Sequence, residues 1–197
     1  MERYAFYDAD CQYVDFKPIL AICQRYASYF TFTDNFPRQE KKRCKDYSDI
    51  LSSLDKYKLH QFKRYNWCGS AKPTLKRQWR WFRFRAFLYF RMYWNRKRIK
   101  VYTLNEGSAR VLRDFYSDLF VRDASGMQLF YPEDVCFFRE DQTIFLSTIS
   151  HEGVAEFFLT SDELDKIELP KGFKYFSSEM DEFCIERVPV KRRFLKR

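Results

Sequence analysis

Four residues close together in the chain carry side chains suited to proton transfer. Glu133 and Asp134 precede the apolar run Val135 to Arg139, and His151 and Glu152 follow the run Thr143 to Ser150. Glu140-Asp141-Gln142 separates the runs where a turn is expected, so together they read as a β-hairpin. With the turn centred near residues 140–142, opposed residue numbers in an antiparallel pair sum to about 281–283. Asp134 then lies near Thr148 or Ile149, and Glu133, Asp134, His151 and Glu152 meet at one end of the hairpin. A histidine beside carboxylates is held charged more readily and can serve as acid, base or polar anchor. Three uses stand open: fixing the turn through backbone hydrogen bonds, offering a polar binding surface, or acid–base catalysis.

Other catalytic patterns are missing from the sequence. It has no G-x-S-x-G, no glycine-rich phosphate loop and no H-E-x-x-H; after His151-Glu152, Ala155 stands where a second zinc-binding histidine would be. Histidines number two, His60 and His151, and the 6 cysteines (Cys11, Cys23, Cys44, Cys68, Cys136 and Cys184) include no C-x-x-C pair. Neither a structural metal nor a cofactor is expected. The cysteine spacing reads as buried reduced thiols.

A second kind of chemistry is written into the middle of the chain. Lys76, Arg77, Arg80, Arg83, Arg85, Arg91, Arg96 and Arg98 interleave with Trp79, Trp81 and further aromatic residues. Cations for phosphates and flat rings for bases are what single-stranded nucleic acid requires, which makes residues 72–100 a candidate nucleic-acid-binding segment. The competing reading turns the rings into the core and lays the long basic stems over the outer face of a sheet.

These groups need elements to position them. Helical spacing predicts helices from Phe16 to about Phe30, from Tyr47 to Phe62, and from an Asn105 or Ser108 cap to about Phe120. Strands are expected at Glu2 to Asp8, in the hairpin, at Glu156 to Leu159, and at Phe173 to Phe176 and Phe183 to Arg187. A short strand enters the loop that ends at Pro37, and Ser161 to Lys166 reads as a turn or short helix. Trp79 to Trp94 reads as a strand, in preference to a long helix, that turns at Asn95-Arg96-Lys97 into a second strand, Ile99 to Leu104. The sum is α+β: an antiparallel β-sheet with flanking α-helices, one domain over 1–186 and a basic C-terminal tail over 187–197.

Composition agrees with a chain that can bury a core. Hydrophobic residues make up 46% and aromatic residues 20%, with only 5 Gly and 6 Pro, which excludes collagen-like and linker-like chains. No apolar run is long enough for a transmembrane helix, and the acidic N-terminal stretch lacks a secretory pattern, so a cytoplasmic protein is expected. The net charge of +9 conceals a division: residues 38–100 hold 20 bases against 4 acids, whereas residues 101–186 hold 7 against 18. The tail carries 6 bases and no acid. Such asymmetry creates a directional field that matters for partners.

Tyr131-Pro132-Glu133-Asp134-Val135-Cys136-Phe137-Phe138-Arg139, followed by Phe145 through His151-Glu152-Gly153, resembles a pattern in short uncharacterised bacterial proteins. In these a P-E-D-x-C-F-Y strand precedes an S-H-E turn, and the preceding helix ends in a Leu-Phe pair like Leu119-Phe120. Asn66-Trp67-Cys68-Gly69 resembles their W-P-G-type turn, with cysteine in place of proline. Such proteins resemble the immunity-like partners encoded beside bacterial toxin or phage-related genes. The resemblance covers about residues 60–160 and implies a protein partner. The basic middle is a departure from it, because inhibitors of nucleases are usually acidic. The expectation is a non-enzymatic inhibitor-like protein acting by protein–protein contact, with Glu133, Asp134, His151 and Glu152 as one surface; the alternative is a nucleic-acid-binding module using 72–100.

Overall fold

The described strands join into a single sheet. The computed structural model describes residues 1–7, 13–34, 45–64, 97–121 and 131–177. In chain order these form β1 (Glu2–Tyr7), α1 (Phe16–Tyr26), β2 (Tyr29–Asp34), α2 (Lys45–Leu54), a 3-10 turn (Asp55–Tyr57) and β3 (Lys58–Arg64). After residues 65–96 come β4 (Lys97–Thr103), α3 (Glu106–Phe115), β5 (Glu133–Phe138), β6 (Ile144–Ile149) and a 3-10 turn (Ser150–Glu152). The described chain closes with β7 (Val154–Leu159), α4 (Ser161–Leu164) and β8 (Lys174–Ser177). The strands make one sheet in the order β3-β4-β2-β5-β6-β7-β1-β8, every neighbouring pair antiparallel. This is the α+β architecture expected from the sequence.

The helices pack on one face of the sheet. Phe16, Ile19, Leu20 and Cys23 of α1, Ile50 and Leu54 of α2, and Ala109 and Leu112 of α3 meet Phe30, Phe32, Tyr102, Phe137 and Phe157 in one buried cluster. Much of the aromatic content is used there: Phe30 stacks on Tyr102 at 5.1 Å, Phe32 on Tyr116 at 5.5 Å and Tyr26 on Phe145 at 5.5 Å. Alternation along β5 sends Val135 and Phe137 to this face, and Cys136 and Phe138 to the other. On that second face Ile99, Cys136, Phe138, Ile144 and Phe158 form a smaller buried cluster.

Local signals set the helix ends. Asp15 caps α1 by accepting from Lys17 N at 3.0 Å. Asn105 and Ser108 cap α3 reciprocally: Ser108 N donates to Asn105 Oδ1 at 3.0 Å and Asn105 N to Ser108 Oγ at 2.9 Å. Both helices end earlier than their apolar spacing predicts. Ala27 and Tyr116 are already extended, which lets Tyr29 and Phe30 enter β2 and places Leu119 and Phe120 in a buried turn after α3.

Two larger corrections concern β3 and β4. The helix expected from Tyr47 to Phe62 stops at Leu54, and Lys58–Arg64 is a strand. Leu59, counted as apolar helix spacing, is 53% exposed on it. The ladder to β4 outweighs a helical preference that rested on Tyr57 and Leu59 alone. Nor does β4 pair with a strand from Trp79 to Trp94: β2 takes one of its edges (Asp34↔Arg98 through Tyr29↔Thr103) and β3 the other. No edge remains for the expected hairpin. Residues Trp79 to Trp94, the strand expected at Phe183 to Arg187 and the tail 187–197 lie outside the described residues.

Candidate functional site

The hairpin register is the one anticipated, with Phe137↔Leu146 and Phe138↔Ile144. Its turn is closed by Gln142 N donating to Arg139 O at 2.9 Å and Arg139 N to Thr143 O at 2.9 Å, with Gln142 left-handed at φ 69°. Asp141 Oδ1 accepts from Thr143 N and Oγ1, and these bonds hold its carboxyl below the ordinary range.

At the other end of the hairpin, β5 bulges. Thr31 pairs with Cys136 and Thr33 with Glu133, so two residues of β5, Asp134 and Val135, oppose the single residue Phe32. Asp134 takes up the extra length at φ 54°, a conformation its short polar side chain tolerates. Its Oδ1 accepts from Ser150 N at 2.7 Å, and its own N donates to Ser150 Oγ at 3.1 Å. The residue is fully buried. Asp134 is therefore a structural pin between β5 and the turn after β6, and the part of it that reads as a solvent-facing binding residue is corrected.

The other three candidates sit around this pin. Glu133 opens β5 and is half-buried, Glu152 is exposed, and His151 is the middle residue of the 3-10 turn, which closes through left-handed Gly153 at φ 63°. The sequence thus brings all four to one end of the sheet. Beside Glu133 lies Tyr116, whose hydroxyl donates to Pro132 O at 3.0 Å. Burial, then the neighbouring Tyr47, Tyr102, Tyr131 and Glu133, push its phenol well above the ordinary value. Among the described residues no group of three or more His, Cys, Asp and Glu could hold a metal ion.

Of the basic candidates, Arg98 is placed in β4, opposite Lys63 of β3 and Asp34 of β2. Lys76, Arg77, Trp79, Arg80, Trp81, Arg83, Arg85, Arg91 and Arg96 lie outside the described residues.

Two ion-pair centres were not anticipated. Arg139 donates to Glu163 from Nε at 2.8 Å and Nη2 at 2.6 Å, to Phe158 O at 2.6 Å and to Ile144 O at 2.5 Å. It ties the hairpin, the end of β7 and α4 together. Burial raises the Glu163 carboxyl, but the hydrogen bonds from Arg139 and Thr160 prevail and leave it below the ordinary value. The capping pattern Thr160-x-x-Glu163 was the available signal for α4. Nothing in the sequence pointed to Arg139 as its partner.

The second centre is Arg3, whose Nη2 reaches both oxygens of Glu156 at 2.8 Å. Its guanidinium lies 5.5 Å from the ring centre of Phe158 and 5.0 Å from that of Phe176. Phe176 in turn lies 6.2 Å from Tyr7. Tyr7, Tyr175 and Phe176 are 57%, 57% and 51% exposed. Tyr7 pairs with Val154, next to the turn that carries His151 and Glu152, whereas Tyr175 pairs with Tyr4 nearer the middle of β1 and packs its ring on that residue.

Comparison with protein-family models, curated proteins and solved structures finds no match. No described helix is long and apolar enough to cross a membrane.

Proposed function

We propose that the chain is a non-enzymatic binding protein of the immunity or inhibitor kind, which acts by contacting another protein. The observation that carries this reading is the exposed aromatic pair Tyr7 and Phe176, in contact with each other on β1 and the outermost described strand β8. Large rings left in water at a sheet edge mark contact surfaces. Aromatic side chains also supply most of the energy in protein interfaces. Glu152, exposed two residues before Val154, adds a polar group at the end of the sheet where Tyr7 stands. The absorption of Asp134 into the bulge removes one member of the acid–base set, which favours binding over catalysis. The resemblance to immunity-like proteins supports the same class of partner.

The test is cross-linking of the tagged chain in its native host, followed by mass spectrometry, with wild type beside a Tyr7→Ser/Phe176→Ser variant. One protein recovered with the wild type and lost with the folded variant is the expected result. Nucleic acid recovered with no protein would overturn the reading.

A further inference from the structure

Phe176 stays in water for a reason that its own strand does not supply. In the register of β1 with β8, Arg3 faces Ser177 and Tyr4 faces Tyr175, so Phe176 is the extra residue of a bulge and has no partner in β1. A bulge re-aims a side chain, and here it brings the ring to Arg3 and Tyr7. On its other side Arg3 faces Phe158 of β7. Its guanidinium therefore stands between two rings, 5.5 Å from the centre of Phe158 and 5.0 Å from that of Phe176. Phe158 is 9% exposed and Phe176 51%. An exposed ring gains by covering apolar surface, and the next residue on this face of β1 is the small Ala5. The guanidinium fills the room into which Phe176 would otherwise turn towards Phe158.

Glu156 keeps the guanidinium in that place, its two oxygens accepting from Arg3 Nη2 at 2.8 Å. The side chains of the pair are 24% and 12% exposed. An ion pair this far out of water adds little to stability over an apolar pair of similar size, so its position beside an exposed ring calls for another reason.

We propose that Arg3 is a positioning residue for the protein contact: held by Glu156, it keeps Phe176 turned outward beside Tyr7 before a partner arrives. The proposal rests on the protein-binding reading of Tyr7 and Phe176. A ring already set in its bound position need not be ordered or drawn off Phe158 on association, and such preorganisation raises affinity. Because Glu156 cancels the charge of Arg3, the clamp offers rings in place of charge. The occupant it fits is an apolar protein surface.

The experiment places 4-fluorophenylalanine at position 176 of the full chain and compares its fluorine shift in ordinary and heavy water, a difference that grows with ring exposure. Wild type is read beside R3M/E156M, which exchanges the ion pair for an apolar one, and R3K, which keeps the charge without the flat face. The same three chains, unlabelled, are cross-linked in host lysate at low salt and at about 0.5 M salt, where exposed charges are screened. In R3M/E156M the isotope difference should shrink and the circular-dichroism melt should stay equal or rise. Captured protein should fall by about tenfold in this variant, whereas wild-type capture should be the same at both salts. If R3M/E156M does not fold, R3K should show the smaller isotope difference and the weaker capture. An unchanged isotope difference in a folded variant, or a smaller one with full capture, would overturn the role of Arg3 and leave the binding reading standing. Wild-type capture lost at high salt would overturn the apolar occupant. No protein captured by wild type would overturn the binding reading and the proposal with it.

Discussion

Asp134 and Ser150 hold one another by two reciprocal hydrogen bonds, Ser150 N to Asp134 Oδ1 at 2.7 Å and Asp134 N to Ser150 Oγ at 3.1 Å. The pair ties the bulged residue of β5 to the turn that follows β6, and it does so from a left-handed backbone at φ 54°. Asp134→Asn keeps an acceptor and tolerates this backbone, so a loss of about 1 kcal/mol is expected. Asp134→Val loses the acceptor and places a β-branched residue at positive φ, which should cost about 3 kcal/mol or more. Urea unfolding of the two variants checks the order; equal losses would show that the bulge does not depend on this pair.

Arg139 satisfies two carbonyls and a carboxylate that little water reaches, with side-chain exposure of 13% for both Arg139 and Glu163. Arg139→Met should destabilise the fold by about 3 kcal/mol, because Glu163 and the carbonyls of Ile144 and Phe158 lose their donor. The double variant Arg139→Met/Glu163→Met should recover part of that loss. Denaturation midpoints of the single and double variants test the coupling.

Acid should weaken the fold through Glu163 and Asp141. Both carboxyls titrate below their ordinary values of 4.5 and 3.8, so the unfolded chain binds protons more readily than the folded one in this range. Their contribution is fully present above about pH 5 and is lost as pH falls through the folded values. Stability measured between pH 6 and pH 3 should therefore drop, and drop less steeply in Arg139→Met. A parallel decline in the two proteins would remove Glu163 from the explanation.

Thr31 and Thr33 of β2 are fully buried, and their hydroxyls have no hydrogen-bond partner among the described residues. Replacing each by the similarly shaped valine removes an unsatisfied polar group. A gain of about 1 kcal/mol per site is expected, read as a higher melting temperature. A loss would mean that these hydroxyls are satisfied in solution.

Much of this was legible in the sequence where the signals are local. The hairpin followed from two apolar runs around Glu140-Asp141-Gln142, and the α3 cap from Asn105 with Ser108. The Lys58–Arg64 strand was not legible, because Leu54, Tyr57 and Leu59 continue a helical spacing whose defeat depends on a distant strand, Lys97–Thr103. The same limit applies to the site. Spacing brought Glu133 and Asp134 to the end of the chain segment that carries His151, but only the bulge opposite Phe32 shows that Asp134 turns inward. Arg139 met Glu163 through packing of the hairpin on α4, a contact that no periodicity encodes. The exposed rings of Tyr7 and Phe176 are neighbours because β1 and β8, at opposite ends of the described chain, pair with each other.

The most direct measurement of the central claim is the affinity of the purified chain for the protein captured with it, compared between wild type and Tyr7→Ser/Phe176→Ser. The account predicts at least about a tenfold loss in the variant, the scale of removing aromatic anchors from an interface, with an unchanged thermal melt. Equal affinity in wild type and folded variant would contradict it.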